Sequence, residues 1–308
     1  MDFGESITLT RDRIAEQLVG RDYELELVLA AVSAGRDLVL EGPPGTSKTT
    51  MLKALTAEWS IPLLFVEGNA DLTPAKLVGH HNPARVLRED YSVDNFVDGP
   101  LVEAMTAGGF LYIEEFNRAP EDTLNTLLTA MADRRITIPR VGTIHAQESF
   151  RVIASMNPID DVGTTRLSTS VHDRLCRLSI TYQDAAAEQA IVELRTAHGT
   201  AALPAALRDQ LVSDAVAVTR ATRTHPDVRQ GSSVRGAIDC ALIGGRLSGL
   251  RGVADPCNEG YRNLLLDAMI VALSGRIHLD EAVQSTPEQV LREIWEEHLL
   301  SNVAAAPG

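Results

Sequence analysis

Cysteine is scarce in this chain: Cys176, Cys240 and Cys257 stand far apart among 308 residues, with no metal-binding or redox spacing between them. They read as buried or incidental thiols of a reducing compartment rather than as a disulfide framework. The eight histidines form no H-E-x-x-H or comparable ligand set, and the adjacent His80 and His81 cannot both face one side of a regular element. No apolar run is long enough to cross a bilayer. The opening Met1-Asp2-Phe3-Gly4-Glu5-Ser6 lacks the basic-then-apolar layout of a secretory signal, so the expected location is the cytoplasm. Positive charge is also short. Lys and Arg number 28 against 42 Asp and Glu, a net charge of −14, so the surface repels phosphate backbones in general. With no basic stripe interleaved with aromatic residues, nucleic acid is demoted as a partner. There is no internal repeat or low-complexity segment.

What is present suits an ordinary globular protein. A hydrophobic share of 44% and a charged share of 23% can build a real core, and the length fits one large or two modest domains. The chain is organised around Leu38-Val39-Leu40-Glu41-Gly42-Pro43-Pro44-Gly45-Thr46-Ser47-Lys48-Thr49-Thr50. A short apolar run, a Gly/Pro-rich bend and then a helical pattern read as strand, loop and helix N-terminus. Such a loop turns backbone N–H groups inward, and the helix behind it adds its positive dipole end. The anion this favours is a polyphosphate, with Lys48 reaching the β- and γ-phosphates and the Thr49 hydroxyl holding Mg²⁺. This is a Walker A loop in which Ser47 stands where Gly is usual.

Further apolar runs predict buried strands at 63–67, 109–114, 150–156 and 175–180, separated by helical patterns, hence a mostly parallel sheet covered by helices on both faces. Two helical pieces around a short loop are expected over residues 11–35. Leu124, Leu127, Leu128 and Met131 fall on one helical face. Residues 136–144 alternate and predict a hairpin turning at Val141-Gly142. The interval from Gly68 to Pro100 is too long for a bare loop and reads as an insertion, with Thr73-Pro74 as a helix start. From about Gln183 only helical patterns follow. The last of them opens with Thr286-Pro287-Glu288-Gln289, a cap, a Pro and a Gln three after the cap. The expected organisation is an α/β domain over 1–182, with an insert at about 68–100 and a hairpin at about 136–146, followed by a smaller all-α domain over 183–308.

Glu114 and Glu115 end the run Phe110-Leu111-Tyr112-Ile113. A carboxylate at the end of a buried strand beside a phosphate loop can bind a metal's water, and the next can polarise an attacking water. Taken together, the ordered motifs 42–49, Asp98-Gly99-Pro100-Leu101, Glu114-Glu115-Phe116-Asn117-Arg118-Ala119-Pro120, Ala154-Ser155-Met156-Asn157-Pro158 and His172-Asp173-Arg174 resemble the MoxR family of AAA+ ATPases. The resemblance is dense over about 15–182 and looser beyond.

The resemblance implies a P-loop NTPase fold with a helical lid, ATP and Mg²⁺ as cofactors, and a homo-oligomeric ring, usually a hexamer. By position it makes Glu115 the glutamate that orients water, Glu114 the metal-side carboxylate where the family has Asp, Asn157 sensor 1, Arg174 the arginine finger serving a neighbour's ATP, and Arg235 sensor 2. It implies that Gly42, Pro43, Pro44, Gly45, Thr46, Ser47, Lys48, Thr49 and Thr50 hold the phosphates, and that Val19 lies against the adenine; simple packing explains Leu18-Val19-Gly20 as well. Arg174 also has an ion pair with Asp173 open to it. The insert and hairpin match elements that project from the ring in relatives, though Tyr91 and Phe96 equally suit a small core within the insert. The activity implied is a chaperone that remodels or matures a client protein or metalloenzyme complex, with a von Willebrand factor A-domain protein as a partner. A nucleic-acid-remodelling motor and a nucleotide-binding scaffold with little turnover are the alternatives.

Overall fold

The computed structural model describes residues 4–89, 91–157 and 169–305. Pro158, the last residue of the Ala154–Pro158 motif, lies outside them. The chain divides into two compact units, Met1–Thr181 and Tyr182–Gly308.

The first unit opens with α1 (Gly4–Ala15) and α2 (Asp22–Ser33), then β1 (Leu38–Glu41), α3 (Lys48–Glu58) and β2 (Leu63–Glu67). The 68–100 interval carries α4 (Pro74–Val78), β3 (Gly79–His81), α5 (Pro83–Glu89) and β4 (Phe96–Asp98). Next come α6 (Pro100–Ala107), β5 (Phe110–Glu114), α7 (Glu121–Asp133), β6 (Arg135–Ile138), β7 (Gly142–His145), β8 (Arg151–Met156), α8 (Thr169–Arg174) and β9 (Cys176–Ser179). Five strands form one sheet in the order β2-β5-β8-β1-β9, every pair parallel.

Alternation along these strands decides which side chains meet which helices. Leu38, Leu40, Phe110, Tyr112 and Ile153 join a core with α1, α2 and α3, through residues such as Ile14, Leu29 and Leu52. Val39, Leu111, Ile113, Val152 and Ala154 join the opposite core with α6 and α7, through Leu101, Met105, Leu124 and Leu127. The central strands are therefore buried on both faces, as their unbroken apolar runs require.

Two strands differ from expectation. The 63–67 strand is an edge strand, with Phe65 52% exposed; an apolar run alone does not reveal which strand lacks a neighbour. β9 closes the other edge and is largely exposed. The 135–145 hairpin turns through Pro139–Val141 rather than Val141-Gly142, with Arg140 (φ 65°) and Gly142 (φ 118°) both left-handed. In the insert, β3 and β4 pair antiparallel. His81 lies edge-on to Tyr91 and Phe96, each 5.2 Å away between centroids.

The second unit comprises α9 (Ala185–Thr196), α10 (Ala205–Ala221), β10 (Val228–Gln230), α11 (Val234–Arg251), α12 (Glu259–Leu273), β11 (His278–Leu279) and α13 (Pro287–Ala305). It is helical, with one addition to the all-α expectation: β10 and β11 pair as a short antiparallel ribbon. Runs of two or three residues fall below any periodicity signal. The capping box of α13 forms reciprocally, Gln289 N to Thr286 Oγ1 at 3.3 Å and Thr286 N to Gln289 Oε1 at 2.7 Å.

A buried polar cluster ties α10, α12 and α13 within this unit. Asp214, 3% exposed, accepts from Tyr261 (2.6 Å) and Gln210 (2.9 Å), and lies 2.8 Å from His298 Nε2. Burial, reinforced by the Asp214 charge, pushes the Tyr261 phenol above its ordinary range. Asp214→Ala would strand these donors, so urea denaturation of the full chain should find it about 1–3 kcal/mol less stable, and Asp214→Asn closer to wild type.

Candidate functional site

The site lies at the carboxyl ends of β1, β8 and β5, three neighbouring strands. β1 leaves the sheet at Gly42, whose N–H donates to the Met156 carbonyl (3.1 Å). A Cβ on Gly42 would stand 2.0 Å from the Ile180 carbonyl oxygen, so only glycine fits there. The loop then closes on itself: Thr46 Oγ1 donates to the Pro43 carbonyl (2.9 Å), Gly45 takes φ 76°, and Ser47 takes φ 65°, ψ 14° before α3 begins at Lys48. The left-handed turn at Ser47 is where the usual glycine would be at ease; a serine pays about 1 kcal/mol for it.

Lys48 is 9% exposed. Its ammonium donates to the carbonyls of Gly42 and Pro43, both at 2.8 Å, and to Thr46 Oγ1 at 3.2 Å. Thr49 Oγ1 lies 3.3 Å from Glu114 Oε1, to which it donates, and 3.2 Å from the Tyr112 hydroxyl. The Tyr112 hydroxyl is in turn 2.9 Å from Ser155 Oγ. Burial pushes the Tyr112 phenol up, only partly offset by its bonds to Ser155 and Thr49, so it stays protonated near neutrality.

A hydroxyl and a carboxylate oxygen 3.3 Å apart are hard donors that one small cation or its bound water can touch together. Mg²⁺ takes few protein oxygens and completes its shell with phosphate and water. The residues present therefore fit Mg²⁺ with a nucleotide polyphosphate.

Glu115 follows β5 in a left-handed conformation (φ 52°, ψ 42°), and its carboxylate pairs with Arg118 Nε at 3.2 Å. Asn157 directly follows β8 and is half-buried, next to the strand from which the loop springs. Val19 sits between α1 and α2. Two residues on, Arg21 is 2% exposed and donates to the Thr181 carbonyl (2.7 Å), just past the Ile180 that crowds Gly42. Arg174 is exposed at the end of α8 and donates back to the Ser170 carbonyl (3.0 Å). Arg235 belongs to the second unit, exposed in the first turn of α11.

The structure thus gathers Gly42–Thr50, Glu114, Glu115 and Asn157 at one end of the sheet. Sequence reasoning missed Tyr112, Ser155 and Arg21. The signal for Tyr112 was a polar tip within a strand buried on both faces, and for Arg21 a charge next to the Leu18-Val19-Gly20 turn. Glu41 was missed too: 4% exposed at the end of β1, it is paired with Arg177 of β9.

Sheet order, phosphate loop and paired glutamates define the P-loop AAA+ fold in the first unit. Residues 37–175 match the family described as the AAA domain, dynein-related subfamily. Among curated proteins, the chain is similar to the gas vesicle ATPase GvpN of Ancylobacter aquaticus, 29% identical over 70% of this chain and 62% of that protein. It is likewise similar to gas vesicle ATPase GvpN2 of Halobacterium salinarum, 28% identical over 85% and 76%, and to YojN of Bacillus subtilis, 32% identical over 53% and 55%. The chain therefore spans 62% and 55% of the length of two of these relatives. Of solved structures, the Holliday junction branch migration motor RuvB of Thermotoga maritima shares the fold, with a TM-score of 0.52 at 17% identity over 82% of this chain and 70% of that one. No helix among the described residues is long and apolar enough to cross a membrane.

Ser47→Gly should relieve the left-handed strain, against the extra chain entropy of glycine when unfolded. A net gain of about 0.5 kcal/mol in urea denaturation is expected.

Proposed function

We propose that the protein hydrolyses ATP as a MoxR-like AAA+ chaperone, remodelling or maturing a client protein or metalloenzyme complex. The observation that carries this reading is the meeting of Lys48, the Thr49–Glu114 pair and Glu115 with Asn157 at adjacent strand ends. The family match and the ATPase names of two relatives support it.

In this reading the Gly42–Thr50 loop, through the N–H groups that follow Pro43 and Pro44, and the α3 N-terminus bind the phosphates, and Lys48 exchanges its loop carbonyls for the β- and γ-phosphate oxygens. Thr49 and Glu114 would hold Mg²⁺, which would supply neutralisation of the phosphate charge. Glu115 leaves Arg118 and its carboxylate accepts the proton of the attacking water, while Asn157 orients that water. Val19 packs against the base, and Arg235, from a lid domain spanning 183–308, senses the bound state. Arg174 reaches the site of an adjoining copy, which makes a ring, taken as a hexamer, the working unit. The insert at about 68–100 and the hairpin at about 136–146 of the 1–182 domain contact the client, with a von Willebrand factor A-domain protein as partner and the cytoplasm as location.

A scaffold with little turnover is the second reading, suggested by Ser47 in a left-handed turn where the loop usually has Gly and by Glu114 where the resemblance has Asp. Phosphate release in steady state separates the two. Turnover should fall at least about 100-fold in Glu115→Gln, and as severely in Lys48→Ala. Equal rates in wild type and both variants would remove the site. Arg174→Ala should lose about 1,000-fold, and mixing it with Glu115→Gln should recover part of the rate, because each supplies what the other's site lacks.

A further inference from the structure

The third residue of β5 faces α3 by strand alternation, together with Phe110, whereas Leu111 and Ile113 face the other core. Tyr112 is fully buried there, its ring 5.8 Å from that of Phe65. A phenylalanine would fill the same volume, so the phenol oxygen is extra, and a buried hydroxyl is costly unless bonded. It emerges between Thr49 on α3 (3.2 Å) and Ser155 on β8 (2.9 Å), and Ser155 is itself 1% exposed.

The row ends at a carboxylate, which sets its direction. Glu114 Oε1 accepts the Thr49 proton at 3.3 Å. Thr49, its own proton spent, can meet Tyr112 only as an acceptor, so the Tyr112 hydroxyl donates to Thr49. Ser155 must then donate to Tyr112. Three hydroxyls in series thus point their protons at one acceptor, each with a single donor and two lone pairs. On Thr49 one lone pair takes the Tyr112 proton and the other is left open.

We propose that Tyr112 is a positioning residue for the metal-holding pair: its hydroxyl orients the Thr49 hydroxyl so that one lone pair stays open to a divalent cation shared with Glu114. This rests on the nucleotide-binding reading above. It also makes a chemical distinction within the site, because Tyr112 acts on the cation and leaves the phosphate loop's own amides untouched.

The test is equilibrium binding of a fluorescent ATP analogue to the full chain, titrated with Mg²⁺ and repeated in EDTA. In Tyr112→Phe the Mg²⁺ concentration at half-effect should rise about fivefold, the loss of one hydrogen bond, while affinity in EDTA stays at the wild-type value. Ser155→Ala should move the midpoint in the same direction by less, and it carries the test alone if Tyr112→Phe does not fold. An unmoved midpoint in a folded variant overturns the proposal, as does an equal loss with and without Mg²⁺, which would make Tyr112 general support for the pocket. Wild-type protein that binds no analogue under either condition would instead overturn the nucleotide-binding reading itself.

Discussion

The exit of β1 is the constraint on which the first unit depends. Gly42 leaves the sheet between two neighbours, its N–H bonded to β8 through Met156 and its α-carbon pressed against the Ile180 carbonyl beyond β9. A side chain there would push β9 off the edge of the sheet or tear the loop from β8. Because the strand is held on both sides, the loop that follows starts from a fixed point, and α3 carries Lys48 and Thr49 toward the ends of β5 and β8. Arg177 on β9 reinforces the arrangement by neutralising the buried Glu41 one residue before the glycine.

Strand alternation then assigns the rest. Tyr112 and Ser155 face α3, so the Tyr112 hydroxyl meets Thr49 while Ser155 meets Tyr112; Glu114, one residue beyond Ile113, ends β5 with its carboxylate at the same helix start. Glutamate carries one methylene more than the aspartate expected from the family resemblance. The added reach is used, since Glu114 Oε1 touches the Thr49 hydroxyl directly at 3.3 Å. The Thr49–Glu114 pair is thus built from a helix and a strand rather than from a loop.

Much of this was legible in the residues. Unbroken apolar runs at β1, β5 and β8 announced strands buried on both faces, and the Gly/Pro-rich bend before Lys48 announced the loop, because those signals are local. What failed was whatever depends on a neighbour. The run at 63–67 looked as buried as the others, but among the described residues no strand lies beyond it, and Phe65 stays half exposed. The β10–β11 ribbon joins residues about 50 apart in sequence with two or three residues a side, too few to register as a period. Tyr112 read as one more apolar member of its strand, since its hydroxyl partners lie on α3 and β8, and pairing across elements leaves no trace in spacing.

Glu115 is where backbone and side chain divide the work. Its left-handed conformation costs of order 1–3 kcal/mol in a non-glycine residue, and it survives because the neighbouring strand end holds it. Gly68 donates its N–H to the Glu114 carbonyl at 2.7 Å, and a Cβ on Gly68 would stand 2.4 Å from the Glu115 carbonyl oxygen. The backbone of the glutamate is therefore held by Gly68, just past the end of β2, and its carboxylate moves by rotamer. The contact that holds that rotamer is the pair with Arg118, both partners well exposed at 43% and 36%, and exposed pairs of this kind contribute about 0–1 kcal/mol. In the proposed hydrolysis, so firm a backbone under so weak a latch would let the carboxylate swing toward the attacking water at small cost.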